Sequence, residues 1–122
     1  MDIQDTRGGK RIPVQIRVAC TIDDSIAETL PFSERKFECN LFDISTLGCA
    51  FLSRVFLPKN ILLNLEIDGE IFYPDQGKKV IRVAGKIVNC RNLSRDTYRI
   101  GVVFVSISNE DQVAIRKFVQ AH

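Results

Sequence analysis

Ile12, Val14, Ile16, Val18, Cys20 and Ile22 alternate with Pro13, Gln15, Arg17, Ala19 and Thr21. A period of two sustained from residue 12 to residue 22 predicts a half-buried strand, because successive side chains of an extended chain point to opposite faces. Pro13 suits the start of such a strand, where a missing ladder donor costs little. Residues 23 to 34, with Asp23-Asp24 and Pro31, read as a loop. A second alternation follows, with Phe37, Cys39 and Leu41 on one face and Lys36, Glu38 and Asn40 on the other. It runs into Asp43-Ile44-Ser45-Thr46-Leu47-Gly48 and then the apolar stretch Cys49 to Leu52. Pro58-Lys59-Asn60 punctuates the chain before a further strand, Ile61 to Ile67. Asp68-Gly69 predicts a hairpin turn leading to Ile71, and Asp75-Gln76-Gly77 marks a loop. Val80 to Val88 and Tyr98 to Ile107 complete the strands, with a polar turn at Asn92 to Asp96. The period then changes. Asn109 is placed to cap a helix, and Ala114, Ile115, Phe118 and Val119 share one helical face.

Six strands with hairpin-length connections and one terminal helix, with no alternation of strands and helices, predict an all-β protein. The expected architecture is a small six-stranded antiparallel barrel with a C-terminal helix. Residues 12–122 form this unit. Residues 1–11, MDIQDTRGGKR, carry three basic side chains and a Gly-Gly pair, and read as a flexible arm. The 122-residue length is that of one domain.

The net charge of +2 excludes a molecule-wide attraction to nucleic acid or an anionic membrane, so any basic site must be local. No apolar run approaches the ~20 residues that span a bilayer, and no apolar signal segment follows the polar start. The expectation is a cytoplasmic protein without membrane insertion. Cys20, Cys39, Cys49 and Cys90 form no C-x-x-C pair, and the sole histidine is His122. Neither a structural metal nor a cofactor is expected, and the cysteines read as small hydrophobes in a reducing compartment.

Catalytic constellations are missing from the sequence. No histidine in the body of the chain serves as a base, and neither G-x-G-x-x-G nor G-x-x-x-x-G-K occurs. Asp23 and Asp24 are adjacent, so on extended chain they point apart. What remains is recognition chemistry. Arg7 and Arg11 are spaced R-x-x-x-R on the arm, a spacing repeated at Arg91/Arg95 and Arg95/Arg99 and weak by itself among ten arginines. Asp43-x-Ser45-x-x-Gly48 occurs once. Alone it has a structural reading: polar side chains bonding local backbone at a turn, with Gly48 at positive φ.

The two motifs in this order, with the strand set and terminal helix around them, resemble the PilZ family of cyclic di-GMP receptors. The resemblance extends from Arg7 to the helix ending near Ala121, and Tyr98-Arg99-Ile100-Gly101-Val102-Val103-Phe104 looks like the family's penultimate strand. It implies a non-enzymatic module that binds the second messenger cyclic di-GMP. Arg7 and Arg11 would close over the ligand, and Asp43, Ser45 and Gly48 would hold it against the barrel. Arginine's planar fork matches a phosphate or the Hoogsteen edge of guanine, and a carboxylate accepts from guanine's N–H groups. Ordering of the arm on binding would then signal to a downstream protein partner in trans. Members of the family differ at the position ahead of the motif, and the resemblance implies that Thr6 there goes with one bound ligand rather than an intercalated pair. Gly8 and Gly9 raise the entropy lost when the arm closes. Arg91, Arg95 and Arg99 read as a solvated hairpin turn with Arg99 facing out, the alternative being that one of them reaches a ligand phosphate. Two alternatives stand beside this reading. One is a PilZ-like interaction adaptor, in motility or pilus assembly, that binds no nucleotide. The other is a barrel that stacks single-stranded nucleic acid on exposed aromatics, which the low charge and the apolar placement of Phe37, Phe51, Phe56 and Phe104 disfavour.

Overall fold

The computed structural model describes residues 10–22, 36–77 and 80–122. Its strands are β1 (Ile12–Ile22), β2 (Lys36–Ile44), β3 (Gly48–Ser53), β4 (Leu62–Asp68), β5 (Val80–Ser94) and β6 (Thr97–Ser106), followed by helix α1 (Asn109–Ala121). All pairings are antiparallel, and the order β1-β2-β3-β6-β5-β4 closes on itself through β1 and β4. Closure leaves none of these six strands as an open edge that could template aggregation. The expected six-stranded barrel with a C-terminal helix is the fold. The proposed arm, residues 1–11, lies outside the described residues except for Lys10 and Arg11, and so does the loop expected at 23–34.

The alternating pattern fills the barrel. Val18, Cys20 and Ile22 from β1 meet Leu63, Leu65 and Ile67 from β4, Ile81 and Ile87 from β5, and Phe51 from β3, all at 4% exposure or less. Each such aliphatic side chain contributes ~1.5–3 kcal/mol by leaving water. The alternation of β1 runs its whole length, with one shift of register against β2. The shift lies between Pro13 and Ile16, where Val14 is half-buried.

Three local expectations need correction. Asp68-Gly69 opens no two-residue hairpin. Asp68 Oδ1 accepts from Glu70 N, and Phe72 and Tyr73 both donate to the Gly69 carbonyl, so the chain coils into a longer connection that sinks Phe72 and Tyr73 into the core. The helix is capped by Ser108, whose hydroxyl accepts from Asp111 N, rather than by Asn109. Phe56 is exposed, not inward, and packs edge-on against Tyr98 at 6.0 Å. The helix face is as expected: Ile115 and Val119 are buried, and Phe118 stacks edge-on with Phe72 at 5.0 Å.

No helix among the described residues is long and apolar enough to cross a membrane. The thiols are free. A hydrogen bond with Cys39, whose sulfur lies 3.8 Å away, and burial push Cys20 well above the ordinary thiol range, and burial does the same to Cys49. Neither is a ready nucleophile, since the thiolate is the reactive form.

Candidate ligand-binding site

Asp43 sits near the end of β2, paired with Pro13 on one side and Ala50 on the other. That register brings Arg11, two residues before Pro13, alongside the carboxylate. Arg11 Nη1 donates to Asp43 Oδ1 at 2.8 Å, with the Arg11 side chain 39% exposed and that of Asp43 16% exposed. The second oxygen is also engaged, since Arg99 Nη2 on β6 lies 3.4 Å from Oδ2. One carboxylate is therefore shared by two guanidinium groups reaching it from opposite directions.

Arg99 is held from two further sides. Its Nη1 is 3.5 Å from Asn89 Oδ1 on β5, and its Cζ lies 5.4 Å from the centre of the Phe42 ring. Asn89 comes this close because Gly101, its partner across the ladder, has no side chain; a Cβ there would meet the Asn89 carboxamide at 2.7 Å. The pairings Asp43–Ala50, Ala50–Gly101 and Gly101–Asn89 thus set a row across the outer face of the barrel. Two small residues lie in the middle and a polar side chain stands at each end. The sequence reading placed Arg99 in a solvated turn. No sequence signal joins it to Asp43, which is 56 residues away; only the β2-β3-β6 order does.

Ser45 and Gly48 occupy a different environment. Ser45 is fully buried, and its hydroxyl accepts from Leu47 N and Gly48 N and donates to the Gly48 carbonyl. The Ser45 amide donates to that same carbonyl at 2.8 Å, and Leu47's carbonyl accepts from Phe104 N on β6. Ser45 therefore ties the β2–β3 turn together. Gly48 lacks the positive φ expected of it, which among the glycines of the described residues belongs to Gly77. Its demand is space: a Cβ would stand 2.3 Å from the Val102 carbonyl. The turn fixes where β2 ends, and hence where Asp43 points. Arg7 lies outside the described residues. Of the five residues singled out in the sequence, Arg11 and Asp43 are in direct contact, and Ser45 and Gly48 brace the turn that follows Asp43.

Among the described residues no group of three or more His, Cys, Asp and Glu side chains could hold a metal ion. The site is built from guanidinium groups, a carboxylate and a carboxamide on an open outer face. It can bind an anion and donate to or accept from a base edge.

The described strands form a closed six-stranded barrel with a cluster of charged side chains on its outer wall. The model of the PilZ domain matches residues 5–121, and the chain belongs to that family. Its fold is similar to that of the Bacillus subtilis inhibitor of motility MotI/DgrA, with TM-score 0.67 at 15% identity, covering 91% of this chain and 48% of that one. It is similar to K. pneumonia MrkH in its c-di-GMP complex, with TM-score 0.67 at 18% identity, covering 91% of this chain and 49% of that one. The PilZ domain of YcgR from Escherichia coli, solved with c-di-GMP, superposes with TM-score 0.60 at 12% identity, covering 92% of this chain and 87% of the domain. At such identities the likeness establishes a shared fold. The chain spans about half the length of the MotI and MrkH chains. No curated protein matches the sequence.

Proposed function

We propose that this chain is a non-enzymatic cytoplasmic receptor for cyclic di-GMP, using Arg7, Arg11, Asp43, Ser45 and Gly48, and that binding rearranges its N-terminal arm to signal to a partner protein in trans. The observation that carries this reading is the Arg11–Asp43 pair. Arg11 stands where the arm joins the barrel, and among the described residues its part-exposed guanidinium is held by a surface ion pair alone, an interaction worth ~0–1 kcal/mol. A ligand that offers phosphates to the arginine and N–H donors to the carboxylate replaces that pair with stronger, charge-assisted bonds on both sides. Arg11 then moves with the phosphate and carries the arm across the barrel. Asp43 accepts from a guanine edge. Ser45 and Gly48 act by holding the turn that aims Asp43. The structures of MrkH and of the YcgR PilZ domain with c-di-GMP support this choice of ligand for a barrel of this shape.

A second reading has one observation in its favour. Ser45 and Gly48 are both accounted for by the turn and the neighbouring strand, so two of the three specified residues of the D-x-S-x-x-G motif would persist in an adaptor that binds no nucleotide.

Calorimetric titration separates the two. Cyclic di-GMP should bind the wild type with micromolar or tighter affinity, about −8 kcal/mol or better. Arg11→Ala should lose most of that affinity while melting like the parent. A wild type that gives neither heat nor amide chemical-shift change at saturating ligand would leave the adaptor reading.

A further inference from the structure

Three arginines remain outside the motif near this face, and their surroundings differ. Arg95 lies in the β5–β6 turn and is exposed. Arg91 is exposed on β5 and stands directly opposite Arg99 of β6 in the ladder. Like charges facing each other across a strand pair are unfavourable. No carboxylate among the described residues pairs with Arg91, and Arg99 has only its share of Asp43. Arg99 is nevertheless drawn in, with 24% of its side chain exposed, between Asp43, Asn89 and the Phe42 ring.

The charge count shows what such an arrangement lacks. Arg11 and Arg99 share the single carboxylate of Asp43, and Arg91 stands across the ladder from Arg99 with no carboxylate partner among the described residues, so these four side chains carry an excess of two positive charges. A cyclic dinucleotide with two phosphodiesters carries two negative charges. A structural ion pair would need only one arginine on Asp43, and would gain nothing from Arg91 facing Arg99. A phosphate lying between Arg91 and Arg99 removes their repulsion, and draws Arg99 off Asp43 Oδ2 so that this oxygen can accept from guanine.

We infer that Arg99, with Arg91 opposite it, forms a second anion-binding half of the cyclic di-GMP site. One phosphate is taken by Arg11 and the other by this β5–β6 pair. Asn89, lying flat over Gly101, is the positioning residue that keeps the Arg99 fork on the outer face. The inference rests on the ligand proposed above and extends the site from β1 and β2 to β5 and β6.

The test measures cyclic di-GMP affinity for wild type, Arg11→Ala, Arg99→Ala, Arg99→Gln, Arg91→Ala and Arg95→Ala, with the melting midpoint of each unliganded protein. Arg99→Ala should weaken binding at least tenfold, and Arg99→Gln should do nearly as much, because it keeps a hydrogen-bonding head but not the charge. Arg91→Ala should weaken binding three- to tenfold, and Arg95→Ala less than twofold. If Arg99→Ala fails to fold, Arg99→Gln decides. A wild type that binds, an Arg11→Ala that does not, and Arg99 variants that bind like the parent would overturn this inference and leave the ligand assignment standing. Tighter binding by Arg99→Ala would overturn it too, by making Arg99 a competitor for Asp43. A wild type that fails to bind removes both proposals together.

Discussion

Asp43 and Asp111 are two carboxylates on one small barrel, and they are held in opposite ways. Asp111, in the first turn of α1, is 4% exposed and accepts a hydrogen bond from the Tyr73 hydroxyl at 2.5 Å. Its own amide is capped by Ser108, and its charge lies at the favourable end of the helix dipole. Around it Phe72, Phe118, Ile115 and Val119 exclude water. Asp43 is on the outer wall between two arginines that both reach solvent. A polar group that is buried and bonded stabilises the fold, because losing its partner costs the full desolvation of what remains. A polar group that is part-exposed and shared between cations holds each only weakly, so a ligand can displace them. The helix end of the molecule is built to stay as it is, and the arginine face is built to exchange partners.

Substitutions at the two sites should separate these roles cleanly. Asp43→Ala is expected to weaken cyclic di-GMP binding by more than ~100-fold, about 3 kcal/mol, while moving the melting midpoint by no more than ~3 °C. Equal losses in affinity and in melting temperature would erase the distinction. Gly48→Ala tests a residue that shares Asp43's motif but belongs structurally with Asp111. Its Cβ would run into the Val102 carbonyl, and backbone gives way at a cost of about 2–3 kcal/mol. Thermal unfolding should show that loss, with affinity at temperatures where the variant is folded falling far less than for Asp43→Ala. Asp111→Ala should cost about 2 kcal/mol, or roughly 5–10 °C, by leaving the buried Tyr73 hydroxyl without this acceptor. Its cyclic di-GMP affinity should stay within twofold of the parent.

The smallest effect is in pH. Cys20 and Cys49 are both raised from the ordinary thiol value of 9.0. Above that value the unfolded chain loses thiol protons that the folded chain keeps, so stability is fully present below pH 9 and falls as pH rises beyond it. A loss of about 1.5 kcal/mol between pH 8 and pH 9.5 is expected, flattened in the Cys20→Ala/Cys49→Ala double variant. A rise in stability over that range would contradict the burial assigned to these thiols.

Much of the fold was legible because a barrel wall writes its inside and outside directly into sequence. Val18, Cys20, Ile22, Leu63, Leu65 and Ile67 could be assigned from period alone, and Ile115 and Val119 from helical spacing. Local competition hid the details. Asp68-Gly69 has hairpin chemistry, yet burial of Phe72 and Tyr73 draws the chain into a longer connection. Ser108 and Asn109 are both good caps, and a shift of one residue is beyond what spacing resolves. The site was half legible. Arg11 and Asp43 follow from motif order, but Arg99 and Asn89 reach Asp43 only through the strand order, with no local signature. Gly48 looked like a turn residue, and its requirement is a carbonyl on another strand.

The most direct test of an exchangeable arginine face is a nuclear magnetic resonance titration of the wild type with cyclic di-GMP, following backbone amides and arginine Nε–H groups. The account predicts saturable shifts at Arg11, Asp43, Arg99 and Gly101, with Tyr73, Asp111 and the rest of α1 unmoved. Saturable binding whose shifts fall on α1 and spare Asp43 and Arg99 would contradict it.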